Sequence, residues 1–575
     1  MSSDTLVYEM ANSSEGSANI FVRKDWVNIN DNMSQNYSGN QCVIDTSQLS
    51  NSNKYASYRE GYLVMPLLLT ATNNIVNEGL MENPDAPGTS CDYAFGLKNW
   101  FGTIIHNFTL EYNGTTIIQQ TPLIPIYNNF RLVSSMDVNT ILTLGQSIGF
   151  YPDSSLSIGF NEESKKSGTG TFNNVNKGDF TVVSAAFNNY SRFNNGFLKR
   201  QQMINFDPQA KCGEGDGDSY EDNLLSANNC NQLYKSYIFN KKASDATHSA
   251  CWQCAITAKI MLKHICTFFN NIPLMKGVFL KLTLGLNQCT VTLTQGAAGI
   301  LSATVVSPLG GVSPLMIASA ADGNGSAAAF RDGADLALTL SIAVGGKRLN
   351  PTQIGGPKQT SDSPMGQSVM LYVPMYTFAS AFETAYLASP VKKICYTDVY
   401  MYQIKGITAG NNINQLLTNG IANLKSCIVC PFFDPSDDPT TIEPFFSPFD
   451  TAGGGTLSPY ALINNFNVVV SGQNAIYNQV RYGYEQFMNQ TYPINKVNGG
   501  LTDGLTSGCF GETEWEAGYN YYAVDISRCL TVEEAVPKSI TIVGTNQCVR
   551  KCNYVCFLEY GVEISIDILS GSRVG

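Results

Sequence analysis

Ligands for a soft metal crowd one short stretch: His248, Cys251, Cys254, His264 and Cys266, with Cys251-Trp-Gln-Cys254 at a spacing common in zinc sites. Cys251, Cys254, His264 and Cys266 are therefore the candidate zinc ligands. The competing reading makes Ala250 to Cys266 an apolar helix that carries its thiols into a core. A second candidate is the acidic loop Gly213 to Asp222, where Glu214, Asp216 and Asp218 sit among glycines and offer oxygen ligands to calcium. It lacks the residue order of an EF-hand, and a solvated acidic loop is the default reading.

Catalytic patterns are weaker. Gly145-Gln-Ser147-Ile-Gly149 matches a nucleophile elbow, but Phe150-Tyr-Pro-Asp follows it where a helix should start, so a turn is expected. With 3 His in the chain, most acid–base schemes lack their usual player. Gly345-Gly346-Lys347 is followed by Arg348 rather than Ser or Thr and makes no phosphate cradle. Cys427-Ile-Val-Cys430 sits in a strand pattern, where residues three apart face opposite sides. Cys548, Cys552 and Cys556 are spaced for one helix face, yet Tyr554 to Tyr560 reads as β. No catalytic residue and no cofactor is assigned.

The elements that position these residues are mostly strands. Leu280, Leu282, Leu284 and Leu286 alternate with Lys281, Thr283 and Gly285, and Val562, Ile564, Ile566 and Ile568 alternate with Glu563, Ser565 and Asp567. Both are half-buried strands by period. Further strands are expected at Tyr62–Leu69, Thr103–Tyr112, Met370–Phe378, Ile394–Ile404, Cys427–Phe433, Asn467–Val470 and Lys538–Val543. Short helices are expected at Ala255–Asn270, Ala379–Ala388 and Asn414–Leu417. Long segments rich in Asn, Gly, Ser, Ala or Pro separate them: Asn161–Phe197, Gln295–Gln367 and Asp434–Ser458. They are read as large loops on a β scaffold. Leu63-Val-Met-Pro66-Leu and Ile428-Val-Cys-Pro431-Phe repeat one pattern, a short apolar strand punctuated by Pro, which points to a duplicated module.

Composition limits function. The chain has 575 residues, and only 14% are charged, where about 25% is usual. A net charge of −11 argues against a protein whose main task is coating nucleic acid. The longest apolar runs, such as Gly61 to Leu69, fall well short of the roughly 20 residues a membrane-spanning helix needs. Met1-Ser-Ser-Asp-Thr-Leu has neither the basic start nor the apolar core of a signal peptide, so synthesis in a reducing cytoplasm is expected. The 16 Cys have no framework spacing and are read as mostly free thiols.

Four landmarks taken in order suggest a family. They are Tyr58-Arg-Glu-Gly-Tyr-Leu-Val-Met-Pro66; His264 to Asn287, with Phe268-Phe269, Asn271-Ile-Pro-Leu274 and Lys276-Gly277; Leu371 to Tyr386; and Tyr521-Tyr-Ala-Val-Asp-Ile-Ser-Arg528 with the closing strand to Asp567. Their order resembles the double jelly-roll major capsid proteins of the virophage and Polinton-like virus group, which are related more distantly to those of large DNA viruses.

The resemblance implies an all-β fold of two consecutive eight-stranded antiparallel jelly rolls with long inserted loops and a few short helices. It implies a non-enzymatic structural protein that forms homotrimers. These would tile with neighbouring capsomers, pentons and other minor capsid proteins into an icosahedral virion shell around DNA, after synthesis in a host cell. Contact with the packaged DNA would be weak and local. The expected organisation is an N-terminal arm at 1–29, a first jelly roll at 30–388, a second at 389–570 and a tail at 571–575. The rival readings are a carbohydrate-binding or carbohydrate-active β protein and a minor capsid or spike protein.

Overall fold

The computed structural model describes residues 20–50, 52–73, 93–119, 122–155, 172–176, 179–183, 196, 199–200, 234–239, 251–277, 279–295, 300–310, 312–319, 337–345, 368–434, 445, 448, 455–458, 461–477, 481–491, 508–527, 536–548, 550–568 and 573–574. Among the 26 strands of the described residues, two sets of eight follow one another as the repeated scaffold. The first set is β1 (Phe21–Asn30), β2 (Gln41–Asp45), β3 (Tyr62–Asn73), β4 (Ile105–Tyr112), β5 (Thr115–Gln119), β6 (Cys251–Met261), β7 (Leu280–Leu286) and β8 (Met370–Phe378). The second is β9 (Val391–Ile407), β10 (Asn412–Ile421), β11 (Leu424–Phe433), β12 (Ile463–Val470), β13 (Gln473–Asn474), β14 (Tyr522–Asp525), β15 (Lys538–Asn546) and β16 (Cys552–Asp567).

Their pairing decides the fold. In the first set one sheet runs β1-β8-β3-β6 and the other β2-β7-β4-β5, all antiparallel. In the second the orders are β9-β16-β11-β14 and β10-β15-β12-β13, again antiparallel. Adding eight to every strand number of the first set reproduces the second. This order, with the last strand lying beside the first and the third, is that of a jelly roll. The chain therefore folds as two jelly rolls in series, each a pair of facing sheets.

Each strand forms where one face can be buried. Leu280, Leu282, Leu284 and Leu286 of β7 are buried while Lys281, Thr283 and Gly285 are partly exposed, as their alternation requires. Strand β1 is an edge, and its Arg23, Lys24 and Asp25 put charge where another strand might otherwise add. Lys24 bridges to Glu60 at 2.6 Å and lies over the rings of Trp26 and Tyr376. Pro66 sits inside β3 rather than at its end. It falls at a fork: pairing with β8 stops at Val64, and pairing with Ala337–Val344 starts at Leu67. Only its carbonyl is used there, accepting from Gly345 N–H at 2.7 Å, so its missing donor breaks no ladder. Pro431 occupies the equivalent strand of the second sandwich, β11.

Several expectations need correction. Phe21–Ile29 is not part of an arm; it belongs to β1, paired with β8 from Phe21↔Phe378 to Asn30↔Met370. In the tail, Arg573 and Val574 pair with Ile566 and Ser565 of β16. The helix expected over Ala255–Asn270 is strand β6 up to Met261, followed by two single helical turns at Leu262–Ile265 and Phe268–Asn271. Asn414–Leu417 lies within strand β10. The Gly145–Gly149 stretch ends a helix, with Gly149 as its left-handed cap at φ 70°. Among the described residues the longer helices are α1 (Ile124–Ser135), α2 (Val138–Ile148), α3 (Ser380–Leu387), α4 (Tyr484–Thr491) and α5 (Glu512–Gly518).

Candidate functional site: the seam and the loop-bearing end

In a fully antiparallel jelly roll, the connections between strands one and two, three and four, five and six, and seven and eight emerge at the same end. In the first sandwich these are residues 31–40, 74–104, 120–250 and 287–369. In the second they are 408–411, 434–462, 475–521 and 547–551. Most of Asn161–Phe197, Gln295–Gln367 and Asp434–Ser458, the segments read as loops, lies outside the described residues, and the described parts of the first two correct that reading: Phe172–Asn176, Asp179–Val183, Ile300–Val306, Leu315–Ser319 and Ala337–Val344 are strands, the last paired with β3. At the opposite end, 113–114, 422–423 and 471–472 are tight links, while 46–61 and 262–279 are longer.

The loop ends meet across the sandwiches. Helix α1, inserted between β5 and β6, lies on the outer face of the β11–β16 pair. Tyr127 donates its hydroxyl hydrogen to the buried carboxylate of Glu559 on β16, which also accepts from Ser426 on β11. The Tyr127 ring packs 5.5 Å from that of Phe557, and Phe130 lies 5.3 Å from Tyr521. Asn129 takes a hydrogen bond from Asn99 at 2.7 Å and donates to Thr456 O at 3.0 Å and to the Tyr521 hydroxyl at 2.9 Å. Every polar group in this contact is buried, so each needs its partner. Burial holds the Tyr127, Tyr519 and Tyr521 hydroxyls well above the usual phenol range. They remain donors at any ordinary pH.

An ion pair anchors the network. Arg200 and Asp153 have side-chain exposures of 1% and 0%, and they meet at 2.6 Å. Two more guanidinium hydrogens go to the carbonyls of Leu97, at 2.9 Å, and Tyr151. The second Asp153 oxygen accepts from Thr456 N–H at 2.9 Å and from its hydroxyl at 2.8 Å. The backbones approach closely too: at Gly508, φ 78°, an added Cβ would lie 2.0 Å from Val133 O. The other end of the seam is held by the helical turn before β7. Thr267 Oγ1 donates to Thr397 O at 2.8 Å, and Asn271 Nδ2 donates to Cys395 O at 2.6 Å. The two sandwiches thus stand side by side with their long loops at the same end.

The metal candidates fare differently. Cys251 and Cys254 lie in β6, where Cys254 pairs with Leu69 and Met261 with Tyr62. At about 3.3 Å per residue, roughly 23 Å of strand separates Cys254 from Met261, which immediately precedes the His264 turn. The strand sets these two cysteines apart from His264 and Cys266. His264 is buried with its ring 6.2 Å from Trp100, and burial pushes the Cys266 thiol up to about 12. Glu214, Asp216 and Asp218 lie outside the described residues. Among the described residues no group of three or more His, Cys, Asp or Glu is arranged to hold a metal ion. A groove of about 380 Å³ crosses the outer face of the second sandwich, lined by Cys395, Asn423, Lys425, Ser527 and Glu563. Its carboxylate, Glu563, is paired with Lys393 at 2.7 Å, so this groove lacks the opposed carboxylates of a glycosidase.

Comparison with solved structures returns matches of low identity that span nearly the whole chain. The chain is similar to viral capsid proteins. It matches a chain of the Sputnik virophage cryo-EM structure at 10% identity and TM-score 0.46, covering 98% of this chain and 89% of that one. The mavirus major capsid protein matches at 9% identity and TM-score 0.42, with coverage of 97% and 91%. The Faustovirus major capsid protein matches at 10% identity and TM-score 0.40, with coverage of 96% and 91%. No protein-family model and no curated protein matches the chain. The assignment of the fold rests on strand order, which needs no relative. Among the described residues, no helix is long and apolar enough to cross a membrane.

The sequence contained no signal for the seam. Asp153 lies 303 positions from Thr456, and Thr456 lies 65 from Tyr521; the aromatic cluster at Tyr519-Asn-Tyr-Tyr522 is the nearest thing to a marker.

One buried group in the first core makes stability depend on pH. His106 of β4 is buried, has no hydrogen-bond partner at Nδ1 among the described residues, and is held below the ordinary imidazole range by burial. The unfolded chain therefore binds this proton first, near pH 6.5. The stabilising contribution is complete above that value and is lost as pH falls from it towards the lower folded pKa. Denaturant melts of the wild type and His106→Gln, compared at pH 7.5 and 5.5, should show the larger acid loss in the wild type. Equal losses would refute the assignment.

Proposed function

We propose that this chain is the major capsid protein of a virus and acts by assembly, not catalysis. The observation that carries the reading is the pairing of two jelly rolls of identical strand order, fused side by side. Three such chains around a three-fold axis present six similar modules, a nearly hexagonal outline suited to tiling a closed shell. The low charge supports this reading, since surfaces that neighbours cover omit Lys, Glu and Asp and favour Tyr and Phe. Long loops gathered at one end suit the outer face of a shell, where their length costs the lattice nothing. The partners in this reading are further copies of the chain, pentons and other minor capsid proteins, with the DNA genome inside. The site of action is the virion, and synthesis takes place in the host cell.

Light scattering coupled to size exclusion, with electron microscopy of the purified protein, tests the proposal. The expected result is a particle of three times the 62.5 kDa chain mass, seen face-on as a ring with hexagonal outline. A stable monomer under all conditions would overturn it.

A further inference from the structure

The seam covers a surface of the second sandwich whose counterpart on the first is bare. In the second sandwich, the free edge of β9 is capped by the turn between strands six and seven of the first. Thr267 Oγ1 donates to Thr397 O and accepts from Thr397 N–H at 2.9 Å, and Asn271 donates to Cys395 O. Because the two sandwiches share one strand order, the equivalent edge is that of β1, and the equivalent turn is the link 526–537 between β14 and β15. Among the described residues no strand pairs with the free edge of β1.

The bare surface has the composition of an interface. Val22 is 70% exposed and Trp26 49%, and Ile20 and Phe21 are exposed beside them. Counted from the pairs that close the two sheets, Phe21↔Phe378 and Val391↔Asp567, the capped residues Cys395 and Thr397 fall at 25–28 of β1 once the bulge after Phe21 is allowed for. Trp26 therefore stands where the first sandwich rests on the second. Its ring lies 5.6 Å from that of Tyr62, which stacks on Tyr372 at 5.2 Å, so an aromatic row leads inward from the edge. Arg23, Lys24, Lys54 and Lys259 line this patch against the carboxylates of Asp25 and Glu60 alone, which leaves it positive in a chain of net charge −11. The sequence of the link 526–537 is complementary: it sets Glu533-Glu534 among Leu530, Val532 and Val536, and Val536 is exposed. A Trp anchor with apolar neighbours and a rim of opposite charge is what a specific contact needs.

We propose that the β1 surface around Trp26 is the docking site for a second copy of the chain, whose β14–β15 link covers it as the turn at Thr267 and Asn271 covers β9. This pairing rests on the capsid reading above and adds which surfaces of the two copies meet. The contact is head-to-tail, so it propagates from chain to chain and forms a ring when its rotation closes. Three chains then join six sandwiches through one kind of seam, made alternately within a chain and between chains.

The test places the photo-crosslinking residue p-benzoylphenylalanine at Val22 of the full-length protein, with heavy- and light-isotope chains mixed so that peptide masses identify inter-chain products. Inter-chain crosslinks should map to the link 526–537. Val22→Asp and Trp26→Ser should each weaken assembly about tenfold or more, read by light scattering across a dilution series. Leu142→Asp, at an exposed position of α2 on the loop-bearing end, should assemble as the wild type does. A wild-type trimer whose Val22 crosslinks map elsewhere, or that survives both β1 substitutions as it survives Leu142→Asp, overturns the docking site and leaves the capsid reading standing. A wild type that stays monomeric overturns both. The crosslink map decides the matter even if a substituted chain fails to fold.

Discussion

Replacing Asp153 with Ala is expected to destabilise the protein by about 3–5 kcal/mol, because it leaves a guanidinium buried without its counter-charge. Arg200 cannot turn to water, since its side chain is almost fully enclosed and two more of its hydrogens are held by the Leu97 and Tyr151 carbonyls. The same substitution orphans the Thr456 amide and hydroxyl, which both donate to Asp153. Each adds its own desolvation cost.

The penalty therefore comes mainly from what is left behind, and a double variant separates the causes. Asp153→Ala with Arg200→Met buries no charge, so it should be less destabilised than the sum of the two single variants by about 2 kcal/mol. Urea melts of the four proteins measure this. A cost below about 1 kcal/mol for Asp153→Ala would mean that water reaches the site and that the ion pair does not anchor the seam.

What the sequence reveals depends on how many faces of an element are covered. Strand β7 was legible from its leucines because one face is buried and the other is not. Strands β11 and β16 are buried on both faces over most of Ser426–Phe433 and Tyr554–Leu558, because α1 covers the side that would otherwise face solvent. Their apolar runs located them without showing which side faced which partner. Helix α1 went unnoticed for the same reason. Enclosed on all sides, it buries Asn128, Asn129 and Arg131 along with its apolar residues, and no 3.6-residue period survives. Cys251–Met261 misled in the opposite way. Ile256, Ala258 and Ile260 are buried and alternate with the partly exposed Thr257 and Lys259, but the run continues into helix-compatible residues. Its eleven-residue pairing with β3, contact between segments far apart in the chain, and the pairing of Cys251–Ile256 with Tyr234–Phe239 make it a strand. The duplicated proline pattern was informative because both prolines fall on the third strand of their module, each beside a gap in one flanking ladder: Pro66 beyond the pairing with β8, and Pro431 beyond the pairing with β14.

Phe557→Ala should cost a similar 3–5 kcal/mol, with a different consequence for cooperativity. Phe557 is fully buried on β16, between Met401 of β9 and Ile428 of β11, and its ring faces Tyr127 on the helix contributed by the first sandwich. Residues 555, 557 and 559 share this face by strand alternation, so the cavity opens in the seam and not between the sheets of the second sandwich. Tyr127 loses its packing partner while still bonded to Glu559, which weakens the helix that ties the loop-bearing ends of the modules together. Leu284→Ala provides the contrast. Leu284 is equally buried, but it lies on β7 within the first sandwich, and its loss should cost about 2–5 kcal/mol without touching the seam. In scanning calorimetry, the wild type and Leu284→Ala are expected to unfold the two sandwiches together, whereas Phe557→Ala should broaden or split the transition as the modules melt separately. A single sharp transition in Phe557→Ala, displaced no differently from that of Leu284→Ala, would show that the seam does not couple the sandwiches.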